Sequence, residues 1–200
     1  MPRVLRLALI LAGALGALVS FGAARDVAIT LSAKTVVPKA IPLGSFSEWI
    51  PNPEAHQEAM KAQQAAMLAA IESMATPRLF ILMALSTVTT FMVIAAIRLR
   101  WSPEVPRTAM ARLLGGASIA AAILRTIDGA QELVINRNGA EASGQALIAA
   151  QIADAEVQAN MAVTVISGIS IVWTAAIVGV LVILGQYFRS PRMAELIDRS

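Results

Sequence analysis

Four apolar stretches, at 7–24, 79–97, 110–134 and 161–188, constrain this chain more than anything else in its 200 residues. A helix needs about 20 mostly apolar residues to cross the roughly 30 Å hydrocarbon layer of a bilayer, and each stretch comes close to or exceeds that length. The expected fold is an all-α integral membrane protein: a four-transmembrane-helix bundle with a small non-cytoplasmic cap of amphipathic helices. All 200 residues form a single membrane domain in this reading, with outer segments at 25–78 and 136–160.

Composition agrees with the lengths. Hydrophobic residues make up 57% of the chain and charged residues only 14%, where a soluble domain carries about 25% charged residues. That excludes a disordered chain, a nucleic-acid-binding arm and an ordinary soluble enzyme. With no cysteine and a single histidine, the chain cannot build disulfides, thiolate metal sites, thiol catalysis or a His-pair site on its own.

Charge sets the expected orientation. Nine of the basic residues (Arg3, Arg6, Arg98, Arg100, Arg107, Arg112, Arg189, Arg192 and Arg199) fall on one side if the termini and the 98–112 loop share it, against three acids, Glu104, Glu195 and Asp198. The opposite side holds six basic residues and nine acidic ones. The positive-inside rule then places both termini in the cytoplasm. The abundance of Ala, Gly and Arg suggests a bacterial source and hence an inner (plasma) membrane.

The first stretch also has the layout of a secretory signal peptide: a basic start, an apolar run, and small residues at Gly22-Ala23-Ala24. Its length argues for a retained helix. So does a stripe of small residues, Ala8, Ala12, Gly16, Ser20 and Ala24, that would let another helix approach closely in lipid.

Between the first two spans, alternation at Val27, Ile29 and Leu31 gives a weak strand signal, and Pro38, Pro42 and Gly44 break regular structure beyond it. Phe46 and Trp49 suit the headgroup level. Asn52-Pro53-Glu54 is a helix start, with a cap, a first-turn proline and an acid at the positive end of the dipole. The run that follows carries Met60, Gln64, Met67, Ile71 and Met74 at seam spacing, and Pro77 is expected to kink a helix continuing to about Arg100.

Asn136-Arg-Asn-Gly139 reads as a tight reversal. A helix over 141–160 would then return about 30 Å, although 161–188 already suffices to cross. Either the 141–160 helix lies flat, or it breaks, or 124–136 sit deeper in the membrane. The preferred expectation is an amphipathic outer helix packed on the 53–75 helix.

Few residues offer chemistry. Arg125, Asp128, Gln131 and Glu132 form a candidate intramembrane polar cluster, which in hydrocarbon is a functional hypothesis by default. Arg125 and Asp128 three apart can equally neutralise each other and anchor a helix end, and that is the preferred reading. Ser86, Thr87, Thr89 and Thr90 on the second span and Thr164, Ser167, Ser170 and Thr174 on the fourth suggest a hydroxyl seam between helices or along a pore. Trp173 in mid-span would want a partner for its indole N–H. His56 and Met60 together suit copper(I), but a methionine stripe at this spacing is the ordinary mark of adaptable packing. No phosphate-loop, dinucleotide, zinc-protease or serine-hydrolase motif occurs, and Gly115-Gly116 reads as close helix packing.

The functional expectation is a non-catalytic structural or accessory subunit of a membrane assembly, with no cofactor or metal. Its partners would be the lipid bilayer and other transmembrane helices, not nucleic acid. The alternative is a homo-oligomeric channel or transporter whose path follows the hydroxyl seam and the third-span charges.

Overall fold

The computed structural model describes residues 3–38, 52–101 and 106–191, together with 193 and 195. Five helices account for nearly all of them: α1 (Arg3–Ser32), α2 (Pro53–Ser73), α3 (Ala75–Trp101), α4 (Arg107–Ala149) and α5 (Ala155–Arg189). No strand occurs among the described residues. Four of the helices, all but α2, are long and apolar enough to cross a membrane. The expected break points at Pro42 and Gly44, and the interfacial Phe46 and Trp49, lie outside the described residues.

Several boundaries differ from expectation, each for a local reason. α1 does not stop at 24 but continues to Ser32, so the alternation at Val27, Ile29 and Leu31 is helical, not a strand. β-branched residues in a short alternating run fit either structure, and the helix already running through Arg25 and Asp26 carries on. α2 begins as its sequence implies: Asn52 caps it, its side chain accepting from the Ala55 N–H at 3.3 Å, with Pro53 in the first turn. The interruption between α2 and α3 falls at Met74, three residues before Pro77. Proline has no N–H to give the carbonyl four residues back, at Ser73, and its ring crowds that carbonyl.

The largest correction concerns 136–160. α4 runs unbroken through Asn136-Arg-Asn-Gly139 to Ala149, a 43-residue helix about 64 Å long at 1.5 Å per residue. No separate flat helix covers 141–160; its first half is the end of α4 and its last residues begin α5. The reversal lies at 150–154. Ile152 N–H donates to the Leu147 carbonyl at 3.2 Å and Gln151 N–H to the Ile148 carbonyl at 2.9 Å, with Gln151 left-handed at φ 54°. This is the paired-bond helix ending usually built on glycine, here made with glutamine. α5 then follows as one helix of 35 residues.

Contacts sort the chain into two compact units. The first comprises Met1–Ala28, Leu79–Asp128 and Thr174–Ser200. Its core is built from leucines, including Leu5, Leu82, Leu85, Leu114 and Leu181, interleaved with alanines. The second comprises Ile29–Arg78 and Gly129–Trp173, and its buried cluster is small: Ala33, Ala70, Ile71 and Ile135, with Met67 and Met74 packed against it.

Within the first unit α4 and α5 meet at backbone distance. A Cβ on Gly115 would lie 2.9 Å from the Gly185 carbonyl oxygen, and one on Gly185 would lie 3.1 Å from the Gly115 carbonyl and 2.5 Å from Ile119 Cδ1. Gly116, one residue on, has nothing within 4 Å of its Cβ position. Of the two adjacent glycines, then, one makes the helix contact and the other faces open space. Within the second unit Gly139 has the same role as Gly115, its Cβ position being 2.6 Å from Met67 Cγ on α2.

Gly115→Ala must push the two backbones apart, and overpacking of this kind costs about 1–3 kcal/mol. Gly116→Ala meets nothing and restricts the unfolded chain, so it should raise stability by up to about 1 kcal/mol. Thermal unfolding of the two variants in one detergent checks the difference, and equal midpoints would contradict this packing.

Candidate functional site

The small-residue stripe of α1 turns toward α3. Ala12 is fully buried, and a Cβ on Gly16 would meet Val93 Cγ2 at 3.0 Å and the Thr89 carbonyl at 3.2 Å. Ala8 packs against the same core, while Ala24 is exposed. Ser20 continues the contact in polar form: its hydroxyl lies 3.4 Å from Ser86 Oγ and 3.1 Å from Thr90 Oγ1.

Those two bonds change the meaning of the hydroxyl residues. Ser86 and Thr90 meet α1, and each described hydroxyl of α5 finds something different. Thr164 bonds back to the Asn160 carbonyl at 2.9 Å. Ser170 accepts from Asn136 Nδ2 of α4 at 3.2 Å. Ser167 is half-buried, and the hydroxyl of Thr174 is buried without a hydrogen-bond partner. The described hydrogen bonds therefore make local pairs and return bonds, not one continuous seam. Trp173 is 57% exposed, so its ring lies on the outer face of α5.

Arg125 and Asp128 do come together. The Arg125 guanidinium donates to Asp128 Oδ2 one turn along α4, and both residues are buried, Asp128 at 1% exposure. A charge buried here is tolerable only when it is paired, because desolvating a lone ion costs several kcal/mol. Glu132, a further turn along the same face, is half-buried and engaged in a polar interaction. Gln131 is also half-buried, and its side-chain carbonyl is buried without a hydrogen-bond partner. Of the four clustered residues, the first unit holds the ion pair and the second holds Gln131 and Glu132.

Two further hydroxyls of the first unit are buried, and sequence reasoning missed the first of them. Ser118, fully buried, donates to the Leu114 carbonyl at 2.9 Å and contacts Met92 Sδ at 3.6 Å. Thr89, also fully buried, donates to the Leu85 carbonyl at 2.7 Å. A single hydroxyl among alanines and leucines gives no periodic signal, and only the packing shows that Ser118 faces inward. His56 Nδ1 lies 3.1 Å from the Asn52 carbonyl. Among the described residues no three His, Asp or Glu side chains are grouped to hold a metal ion.

The arrangement defines the class of the molecule: an all-α bundle with four helices long and apolar enough to cross a membrane, in which the buried Arg125, Asp128, Thr89 and Ser118 pair locally. Comparison with known protein families, curated protein sequences and solved structures finds no match.

Asp128→Ala strands the Arg125 charge and should destabilise the protein by about 3–5 kcal/mol. Removing both charges, as Arg125→Met with Asp128→Leu, should restore most of that loss. A double-mutant cycle read by thermal unfolding in detergent measures it, and a double variant no better than Asp128→Ala would show that the pair is not acting as a unit.

Proposed function

We propose that this chain is a non-catalytic polytopic membrane protein that serves as a structural or accessory subunit of a larger membrane assembly. The observation that carries the reading is the open face of α5. Only 11% of its most apolar window is buried, against 39% in α4. Ile169, Val172 and Trp173 all stand outward on it, and Gly168 and Gly179 have nothing within 4 Å of their Cβ positions. Helix association in lipid runs on close packing at small residues, so a face with open glycines flanked by large side chains suits another transmembrane helix. The local pairing of the buried polar groups supports a packing role as well.

The placement we propose is a bacterial inner membrane with both termini cytoplasmic, on the strength of the arginines at the 98–112 end. The chain is free of cysteine, so single introduced cysteines report topology without background. In intact cells a cysteine at exposed Asn138 should react with an impermeant maleimide, and one at exposed Ala109 should react only after lysis. The opposite pattern would invert the topology.

One observation favours a second reading, a homo-oligomeric channel or transporter: the Arg125–Asp128 pair buried inside an apolar helix. Native mass spectrometry of gently extracted protein, with flux assays on Asp128→Asn, separates the two. An accessory subunit should co-purify with different polypeptides at fixed stoichiometry and lose them in Gly168→Leu with Gly179→Leu. A ring of identical chains, and flux lost in Asp128→Asn with assembly intact, would overturn the accessory reading.

A further inference from the structure

We infer that the first unit carries a binding site for an anionic phospholipid, with an acyl chain in a groove between α3 and α4 and the phosphate held by Arg98 and Arg112. The groove has a volume of about 430 Å³ and is lined entirely by apolar side chains and glycine: Val88 and Phe91 of α3, and Leu113, Gly116, Ala117 and Ala120 of α4. Gly116 forms its floor, with nothing within 4 Å of a Cβ there. Phe91 and Leu113, more than half and about half exposed, stand as its walls.

One end of the groove is basic. Arg98 lies seven residues beyond Phe91 on α3 and shares its helical face, while Arg112 lies one turn before Gly116 on α4, at the edge of the groove where it also lines a cleft with Arg189 and Ser190 of the α5 end. They are also level with each other. The Ser118–Met92 contact sets the register of the two helices, which run in opposite directions, and each arginine is six residues from that contact toward the same end. Both side chains are exposed, and neither forms an ion pair among the described residues. Two guanidiniums that pair with no carboxylate among the described residues, at one end of a dry groove on an apolar helix pair, match the chemistry of one molecule: a lipid with an anionic head and an apolar tail. Arginine holds phosphate oxygens through paired N–H donors, while the groove accepts the chain without polar cost.

The site rests on the reading that these helices span a bilayer, and the two can fail separately. Protein that fails to fractionate with membranes would remove both. With membrane-inserted protein, native mass spectrometry in a nonionic detergent compares phosphatidylglycerol with phosphatidylcholine carrying the same chains. Phosphatidylglycerol should be retained preferentially. Each of Arg98→Gln and Arg112→Gln should reduce that preference about fivefold, the equivalent of about 1 kcal/mol per basic residue at a membrane surface. Gly116→Leu fills the groove and should weaken retention of both lipids. All three positions are exposed, so these variants keep the fold, and an unchanged unfolding midpoint verifies it. Equal retention of the two lipids, or a preference that survives the double arginine variant, would overturn the site. So would displacement of the lipid by inorganic phosphate with no effect of Gly116→Leu, which describes an anion site without a groove. A lipid-free dimer broken by Gly116→Leu would assign the groove to a second copy of the chain and overturn it equally.

Discussion

Helices already surrounded by hydrocarbon gain little from hiding apolar side chains, so their association depends on how closely they can approach. In this protein that approach is set by a few positions without side chains. Gly115 and Gly185 bring α4 and α5 to backbone contact, and Gly16 does the same for α1 against α3. The leucines of the first unit fill the space around these contacts, and their burial follows from the approach instead of driving it. In the second unit Gly139 admits Met67 of α2, a flexible side chain that adapts to the gap it is offered.

Burial among apolar side chains dictates how polar groups are handled. A hydroxyl or charge buried without a partner is costly, and apart from the Thr174 hydroxyl and the Gln131 carbonyl the groups described above find a partner within a turn or across one contact. Thr89 and Ser118 bond back to their own helices, Ser20 reaches across to α3, and Arg125 neutralises Asp128. Two outward features stand out: the apolar and glycine-bearing face of α5, and the arginines at one end of α3 and α4. Each has a natural counterpart, another helix for the first and an anionic headgroup for the second, and the functional proposals follow from that division.

The helices themselves were legible in the sequence because length and hydropathy are sums over many residues, and no single residue decides them. The α2 start at Asn52-Pro53 and the Arg125–Asp128 pair were legible too, since a cap and an i, i+3 pair are local. Turn position was not. Asn136-Arg-Asn-Gly139 has the composition of a reversal, yet Gly139 is there to admit Met67, and the chain turns instead at Gln151, a residue with no special turn preference. A glycine needed for close approach and a glycine needed for a turn look alike until the neighbour is in place.

The hydroxyl residues teach the same lesson at longer range. Spacing correctly grouped Ser86 with Thr90 on one face of α3, but their partner proved to be Ser20 of α1, and Ser170 found Asn136 of α4. The sequence by itself determined that the chain is helical, that four of its helices are long and apolar enough to cross a membrane, and that one end is rich in arginine. Those properties are additive along the chain. Only the tertiary structure decided which glycine of Gly115-Gly116 makes a helix contact, which hydroxyls pair, and which groove the arginines guard. Each of these depends on a residue from a distant helix arriving within a few ångströms, and periodicity within one helix carries no information about its neighbour.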